Sequence, residues 1–247
     1  MICLSMVTYN RADVLARTLQ AIFDTCREDE YRLLVSDNAS IDGTRELLDR
    51  LEAEGKLKAW HLAENLGTCG GRNAHWAECI GHDSIRMDDK VLPLVPGWLR
   101  TLKRQSEERH ALVAIPYDAT VQFLWNVAPP IDYVQWHVDQ GRGGPLIYIP
   151  AGVIEQLGGV DELHPDIRYG WDDCLFIERA LLLGWNFGFS LRVPVEFLAG
   201  ASPERRASAM QYHPLYVERM RQYKDTKLPR LTRMTTTRPL VELPEDC

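Results

Sequence analysis

The chain has little of what marks the specialised protein classes. Its six cysteines include no Cys-x-x-Cys pair and no zinc-type spacing, which excludes a stapled secreted scaffold and a zinc module; they read as reduced thiols, several filling core space. No uninterrupted apolar stretch approaches the ~18 residues of a membrane span. No basic segment leads into an apolar run with a cleavage site, so the expectation is a chain neither secreted by the usual signal nor membrane-spanning, hence cytoplasmic, with room for peripheral contact with a membrane. Excess positive charge is also missing. The formal net charge is -7 and the pI near 5.5, which argues against a surface covered for nucleic acid while allowing a local basic patch. What remains is an ordinary composition, 45% hydrophobic and 26% charged over 247 residues, enough for one large α/β domain or two small ones.

Hydrophobic periodicity alternates between strand and helix. Residues 2 to 9 read as a buried strand, and Asn10 can cap a helix whose Val14, Leu15, Leu19 and Ile22 share one face. Residues 31 to 36 form a second strand, followed by a helix with Leu47, Leu48 and Leu51 that stops at Gly55. A third strand is expected over 57 to 62, a loop over 64 to 71, a helix near 73 to 79, and a fourth strand over 84 to 87. Such βαβαβαβ order predicts a mostly parallel sheet with helices on both faces, and ligands bind such sheets outside the carboxyl ends of the strands. Polar groups fall at that edge: Thr8, Tyr9 and Asn10, then Asp37, then Asn65 and Gly67, then Asp88 and Asp89. Each alone is an ordinary cap or turn residue. Together they describe a nucleotide site.

A second constellation is Gly170-Trp171-Asp172-Asp173 at the mouth of an apolar helix. A carboxylate there is most often a cap that offsets unpaired N–H groups, and it can also act as a general base.

The order of these segments, Thr8-Tyr9-Asn10-Arg11, Asp37-Asn38, Asn65-Leu66-Gly67 with Gly71-Arg72-Asn73, Met87-Asp88-Asp89, Gly158-Gly159-Val160-Asp161-Glu162 and Trp171-Asp172-Asp173 with Arg179, resembles the inverting glycosyltransferases of the GT-A fold, the large family 2 group. The likeness covers roughly residues 1 to 200. It implies a GT-A (Rossmann-like) domain over 1–200, with a nucleotide-sugar-binding half (1–95) and an acceptor and catalytic half (96–200), and a helical, extended and basic tail over 201–247. By that resemblance Asp37 pairs with the base, Thr8 and Tyr9 line the base and ribose pocket, and Arg72 and Asn73 approach the diphosphate and donor sugar. Asn10, Asn65, Gly67 and Lys90 complete the donor side, Asp88 and Asp89 look like the DXD-type carboxylates, and Asp173 looks like the catalytic base beside the acceptor-side Trp171 and Asp172. Two departures bear on a metal. Lys90 stands where many relatives have a second acidic residue, and Phe197 where many have a His. The expectation is a Mg²⁺ or Mn²⁺ held by Asp89 as direct ligand, weakly without nucleotide, with Lys90 supplying part of the missing positive charge beside the phosphates.

The acceptor side is marked only by aromatics, Tyr117, Phe123, Trp125, Tyr133, Trp136 and Trp171, which read equally as core or as sugar-stacking faces. Between 219 and 238 the chain carries Arg219, Arg221, Lys224, Lys227, Arg230, Arg233 and Arg238 against Asp225 alone, which suits an anionic partner such as a lipid pyrophosphate, a polysaccharide, a membrane surface or nucleic acid, and equally a solvated tail. The reading is an inverting transferase that moves a sugar from a nucleoside-diphosphate donor, UDP-sugar first, to a hydroxyl. Glycosylation of hydroxymethylated bases in DNA, sugar nucleotidyl transfer and a silent nucleotide-sugar-binding module stand as alternatives.

Overall fold

A computed structural model describes residues 1–27, 29–116, 133–135, 143–162, 169–198 and 210–225. Four strands, β1 (Ile2–Thr8), β2 (Tyr31–Asp37), β3 (Lys58–His61) and β4 (Asp83–Asp88), alternate with the helices α1 (Ala12–Thr25), α2 (Thr44–Ala53) and α3 (Gly67–Asn73), the last followed by a 3₁₀ turn at Trp76–Cys79. Then come β5 (Val91–Pro93), α4 (Trp98–Arg109), β6 (Ala111–Ile115), β7 (Tyr133–Gln135), β8 (Leu146–Ile149), α5 (Ala151–Leu157), α6 (Asp172–Leu182), β9 (Asn186–Ser190), β10 (Val195–Phe197) and α7 (His213–Asp225).

The main sheet runs β3-β2-β1-β4-β8-β6-β9-β7, and β10 pairs with β5 in a separate small ribbon. Its first four strands are parallel, as the alternation predicts. The sequence reading did not extend to β8, which runs antiparallel to both β4 and β6. Strand alternation divides the core in two. Leu4, Met6, Leu33 and Val35 face one cluster with Leu15, Leu19 and Leu48 of α1 and α2, while Cys3 and Leu34 face the other with Val153, Phe176 and Ile177 of α5 and α6. Helices therefore cover both faces, and the strand ends are the part of the sheet left for a ligand.

Two boundaries differ from expectation. Asn10 does not cap α1: its backbone is left-handed (φ 51°), its N–H donates to Ser40 Oγ at 2.9 Å and its Oδ1 accepts the Ile41 N–H at 2.8 Å. Asn tolerates that conformation, and the cap-like bond to Ala12 N–H comes instead from Asp42 Oδ2 at 3.0 Å. Asn10 thus ties the end of β1 to the loop before α2. The helix expected near 73 to 79 begins earlier, at Gly67. Its glycines permit this, because a Cβ on Gly71 would lie 2.6 Å from Val7 Cγ1, so only a residue without one lets α3 lie this close to β1.

Candidate active site

Parallel register brings the four strand ends to one line. Thr8 lies opposite Asp37, Val7 opposite Asp88, and Asp37 opposite His61. Asp37 is 1% exposed; its Oδ1 accepts the Ser40 N–H at 2.9 Å and its Oδ2 sits 3.2 Å from His61 Nδ1, while His61 Nε2 lies 2.8 Å from Asp49. The carboxylate is thereby fixed in direction as an acceptor. Next to it, Asn38 accepts the Leu66 N–H at 2.8 Å and donates to Gly67 O at 2.9 Å, and Asn65 Oδ1 accepts the Gly67 N–H at 2.9 Å. Asn65 and Gly67 therefore shape the loop beside Asp37 and Asn38, and Tyr9 stands exposed on the same edge.

Beneath this edge lies a cluster of opposite charges. Asp88 Oδ1 is 3.8 Å from Arg72 Nη2, and its Oδ2 is 3.4 Å from Lys90 Nζ. Arg86, in the middle of β4, donates to Asp172 and lies 3.9 Å from Asp173 Oδ2. Arg72 reaches 3.8 Å from Asp172, and its guanidinium donates to the backbone carbonyl of Ser5 at 3.2 Å. Burial pushes Arg72 down to about 10, which leaves it charged at neutral pH. Burial also opposes ionisation of Asp172, yet the Arg86 and Arg72 guanidiniums outweigh it and hold that carboxyl below its usual range. Asp173 goes the other way. Burial raises it to about 6, opposed by Arg86 and reinforced by the Asp172 and Asp88 carboxylates. Its side chain is 15% exposed, against 5% for Asp172, so Asp173 is the more accessible of the two carboxylates. Gly143 lies against it so closely that a Cβ there would overlap Asp173 Oδ2.

Two expected ligand-facing residues turn inward. Asp172, placed on the acceptor side by sequence, is buried against Arg86. Asn73 donates to Val160 O and Glu162 Oε1, both at 3.0 Å, and accepts the Val160 N–H at 3.1 Å, so its amide braces the Gly158–Glu162 segment. The same segment is also held by α7. Asp161, with no exposed side-chain surface, accepts from Arg219 Nη1 at 2.9 and 2.8 Å and from Tyr223 Oη. Arg219 was expected within the anion-attracting tail, and the Asp161 carboxylate engages it instead; the tail beyond Asp225 lies outside the described residues. Trp171 takes a left-handed φ of 67° at the start of α6 and stacks on Tyr216 of α7 with ring centroids 4.6 Å apart. Of the other aromatics, Tyr133 is buried under the Arg109 guanidinium, and Tyr117, Phe123, Trp125 and Trp136 lie outside the described residues.

The carboxylates do not suit a divalent ion. Asp89, expected as its direct ligand, is 7% exposed, with Oδ2 accepting from Thr8 Oγ1 at 2.9 Å and Oδ1 from Arg11 at 3.1 Å. Both of its oxygens are committed, and burial, reinforced by Asp88, raises its pKa despite Arg11. Asp88 is flanked by two cationic side chains. Among the described residues no group of three or more His, Cys, Asp or Glu is placed to hold a metal ion.

Sequence reasoning passed over four participants. Arg86 had a signal, a lone charge within a buried strand, which must find a partner. His61 and His75 gave none beyond their residue type. His75 bridges the sheet beneath the site, Nε2 at 2.6 Å from Ser5 Oγ and Nδ1 at 2.7 Å from Ser36 Oγ, and burial lowers it to about 3. Asp161 stood in a quoted motif without a role.

Residues 3–150 match the family described as Glycosyl transferase family 2. Among solved structures the chain is similar to mannosyltransferase PcManGT from Pyrobaculum calidifontis in complex with GDP-Man and Mn²⁺ (20% identity, TM-score 0.68, 92% of this chain and 65% of that one). It is also similar to S. aureus TarS 1-349 in complex with UDP (16% identity, TM-score 0.61, 87% of this chain and 65% of that one). A TarS complex with UDP-GlcNAc gives a TM-score of 0.60 at 16% identity, over 84% of this chain and 61% of that one. The chain thus spans a little under two thirds of these structures, and at such identities the likeness establishes the shared GT-A arrangement of sheet and helices. No curated protein matches it.

Proposed function

This chain belongs to glycosyl transferase family 2, and from that premise we propose that it moves a sugar from a nucleoside diphosphate to an acceptor hydroxyl with inversion. The observation that carries the proposal is Asp173: a partly open carboxylate whose pKa is raised to about 6, set beside the strand-end donor site. A base is most effective when its pKa lies near the working pH. In the step, Asp173 takes the hydroxyl proton as the acceptor oxygen bonds to the anomeric carbon. The bond from that carbon to the diphosphate breaks, and its electron pair leaves with the diphosphate. Inversion follows from a single displacement. The neighbouring carboxylate, Asp172, is buried against Arg86 and so is poorly placed to act as a covalent nucleophile, which leaves it to orient Arg86 and Arg72.

For the base, Asp37 uses only part of its acceptor capacity on Ser40 and His61, and the lone pairs left over favour an edge that presents an N–H, uracil over cytosine. Guanine presents such an edge too, and the GDP-Man bound by the similar mannosyltransferase makes it the second reading. Thr8 and Tyr9 flank the base and ribose, while Asn10, Asn65 and Gly67 set the loops around them. Asn73 acts through the Gly158–Glu162 segment, and Trp171 offers a ring face near Asp173 for an acceptor sugar. Nucleotidyl transfer is disfavoured because Arg11, the cation after the first strand, is tied to Asp89. Glycosylation of DNA bases loses Arg219 from its basic footprint to Asp161, as does any other anionic acceptor. No helix among the described residues is long and apolar enough to cross a membrane.

The test is product analysis with labelled UDP- and GDP-sugars against hydroxyl acceptors, with the anomeric configuration read by NMR. An inverted glycoside supports the proposal. Nucleotidyl products, retained configuration, or neither binding nor turnover of any nucleotide sugar would overturn it.

A further inference from the structure

Accepting the donor site just described, we infer that Lys90, backed by Arg72, is the built-in cation that receives the donor diphosphate in place of a divalent metal. Lys90 lies in the turn between β4 and β5, and that turn is held from two sides. Thr18 Oγ1 donates to the Asp89 carbonyl at 2.9 Å, and the Leu198 N–H donates to the Lys90 carbonyl at 3.0 Å. The side chain is 7% exposed, and its charged neighbour is Asp88 Oδ2 at 3.4 Å. An ammonium carries three donors, and a buried cation is costly unless its charge and donors are met. A single carboxylate at this distance leaves most of that capacity open.

Arg72 is in the same condition. It is 3% exposed, and its Nε has no hydrogen-bond partner. Its Nη1 and Nη2 reach the backbone carbonyls of Ser5 at 3.2 Å and Met87 at 3.5 Å, and its nearest carboxylates, on Asp88 and Asp172, both stand 3.8 Å away. Arg86 already pairs with Asp172, and Arg72 stands 3.8 Å from both Asp172 and Asp88, so among the described residues no carboxylate meets the donors of Arg72 or Lys90 at hydrogen-bond distance. Both cations sit at the end of β4, next to the line of Thr8, Asp37 and His61. An arriving diphosphate brings charged oxygens that can take the open donors of Lys90 and Arg72 at hydrogen-bond distance.

A divalent ion would meet the opposite conditions. It needs several free oxygen ligands. Here Asp89 is committed to Thr8 and Arg11, and an ion on Asp88 would stand within a few ångströms of an ammonium and a guanidinium, whose repulsion is strong where water is excluded. Lys90 therefore carries the charge itself, as a covalent part of the chain.

The test is calorimetric titration of the full chain with UDP, GDP and the parent nucleosides, in EDTA and in Mn²⁺. The expected result is diphosphate binding in EDTA that Mn²⁺ changes by less than about threefold, with Lys90→Ala weakening the diphosphate by about 10–100-fold, the usual effect of one charged hydrogen bond, and the nucleoside hardly at all. Lys90→Asp should restore diphosphate binding only when Mn²⁺ is present. Wild-type binding that requires Mn²⁺ would overturn the inference while leaving the donor site intact, and it needs no variant to fold. Unchanged diphosphate affinity in a Lys90→Ala protein with wild-type circular dichroism would overturn it as well; should that variant not fold, Lys90→Gln takes its place. Failure of every nucleoside diphosphate to bind under both conditions would reject the donor-site reading itself, and this inference with it.

Discussion

Arg219→Ala tests whether the last helix is part of the site's framework. Asp161 has no exposed side-chain surface and accepts from Arg219 Nη1 through both oxygens, at 2.9 and 2.8 Å. Removing one partner of a buried pair costs about 3–5 kcal/mol, because the other charge is left uncompensated. Two features lower that figure here. Arg219 is 25% exposed, so water reaches its side of the pair, and Tyr223 goes on donating to Asp161. The working value is about 2–3 kcal/mol. With a urea slope of about 2–3 kcal/mol/M, the unfolding midpoint should fall by about 1 M. Asp161→Asn with Arg219→Met removes both charges and should lose less than the two single changes combined, by at least about 1 kcal/mol. A drop under about 0.5 kcal/mol, or strict additivity, would refute the clamp. It would also return Arg219 to the surface charges available to an anionic acceptor, a role that acceptor KM measured against salt would then reveal.

Other outcomes follow from the same geometry. With Asp173 raised from its ordinary 3.8 to about 6, kcat/KM should rise with pH through about 6, where the base loses its proton; its stability contribution has the opposite sense, present below 3.8 and lost as pH rises through 6. A flat profile between pH 5 and 7 would exclude Asp173 as the base. His75 is lowered from 6.5 to about 3, so its contribution is present above 6.5 and is lost as pH falls toward 3. His75→Leu should therefore cost about 1–3 kcal/mol for each unpaired serine hydroxyl at pH 7.5, and the gap to wild type should narrow at pH 5. Urea unfolding at the two pH values checks this, and an equal gap at both would refute it. Asp37→Ala should weaken UDP by about 10–100-fold and erase its preference over CDP; calorimetry showing neither would remove Asp37 from the base pocket.

Much of the fold was legible because it rests on local rules. The 3.6-residue spacing of Leu15, Leu19 and Ile22 and the apolar strands Ile2–Thr8 and Tyr31–Asp37 announce parallel units, and parallel register then lines up Thr8, Asp37 and Asp88. The boundaries that moved did so for tertiary reasons. The third helix starts early, at Gly67, where Gly71 lets it lie close against Val7, and Asn10 leaves the cap position because a loop distant in sequence, Ser40 and Ile41, binds it. Charge pairing was the least legible part. Whether Asp89 or Asp88 is free depends on Thr8 and Arg11 arriving from 81 and 78 residues away, and nothing in the local sequence around the acidic pair reports that. The pairing of Arg219 with Asp161 spans 58 residues in the same way.

Turnover of Asp173→Asn, read beside its donor dissociation constant, decides whether Asp173 is the general base of a glycosyl transfer. Donor binding should stay within about threefold of wild type while kcat falls by about 10²–10⁴, the worth of a positioned proton acceptor. Near-normal turnover in the variant would contradict that role.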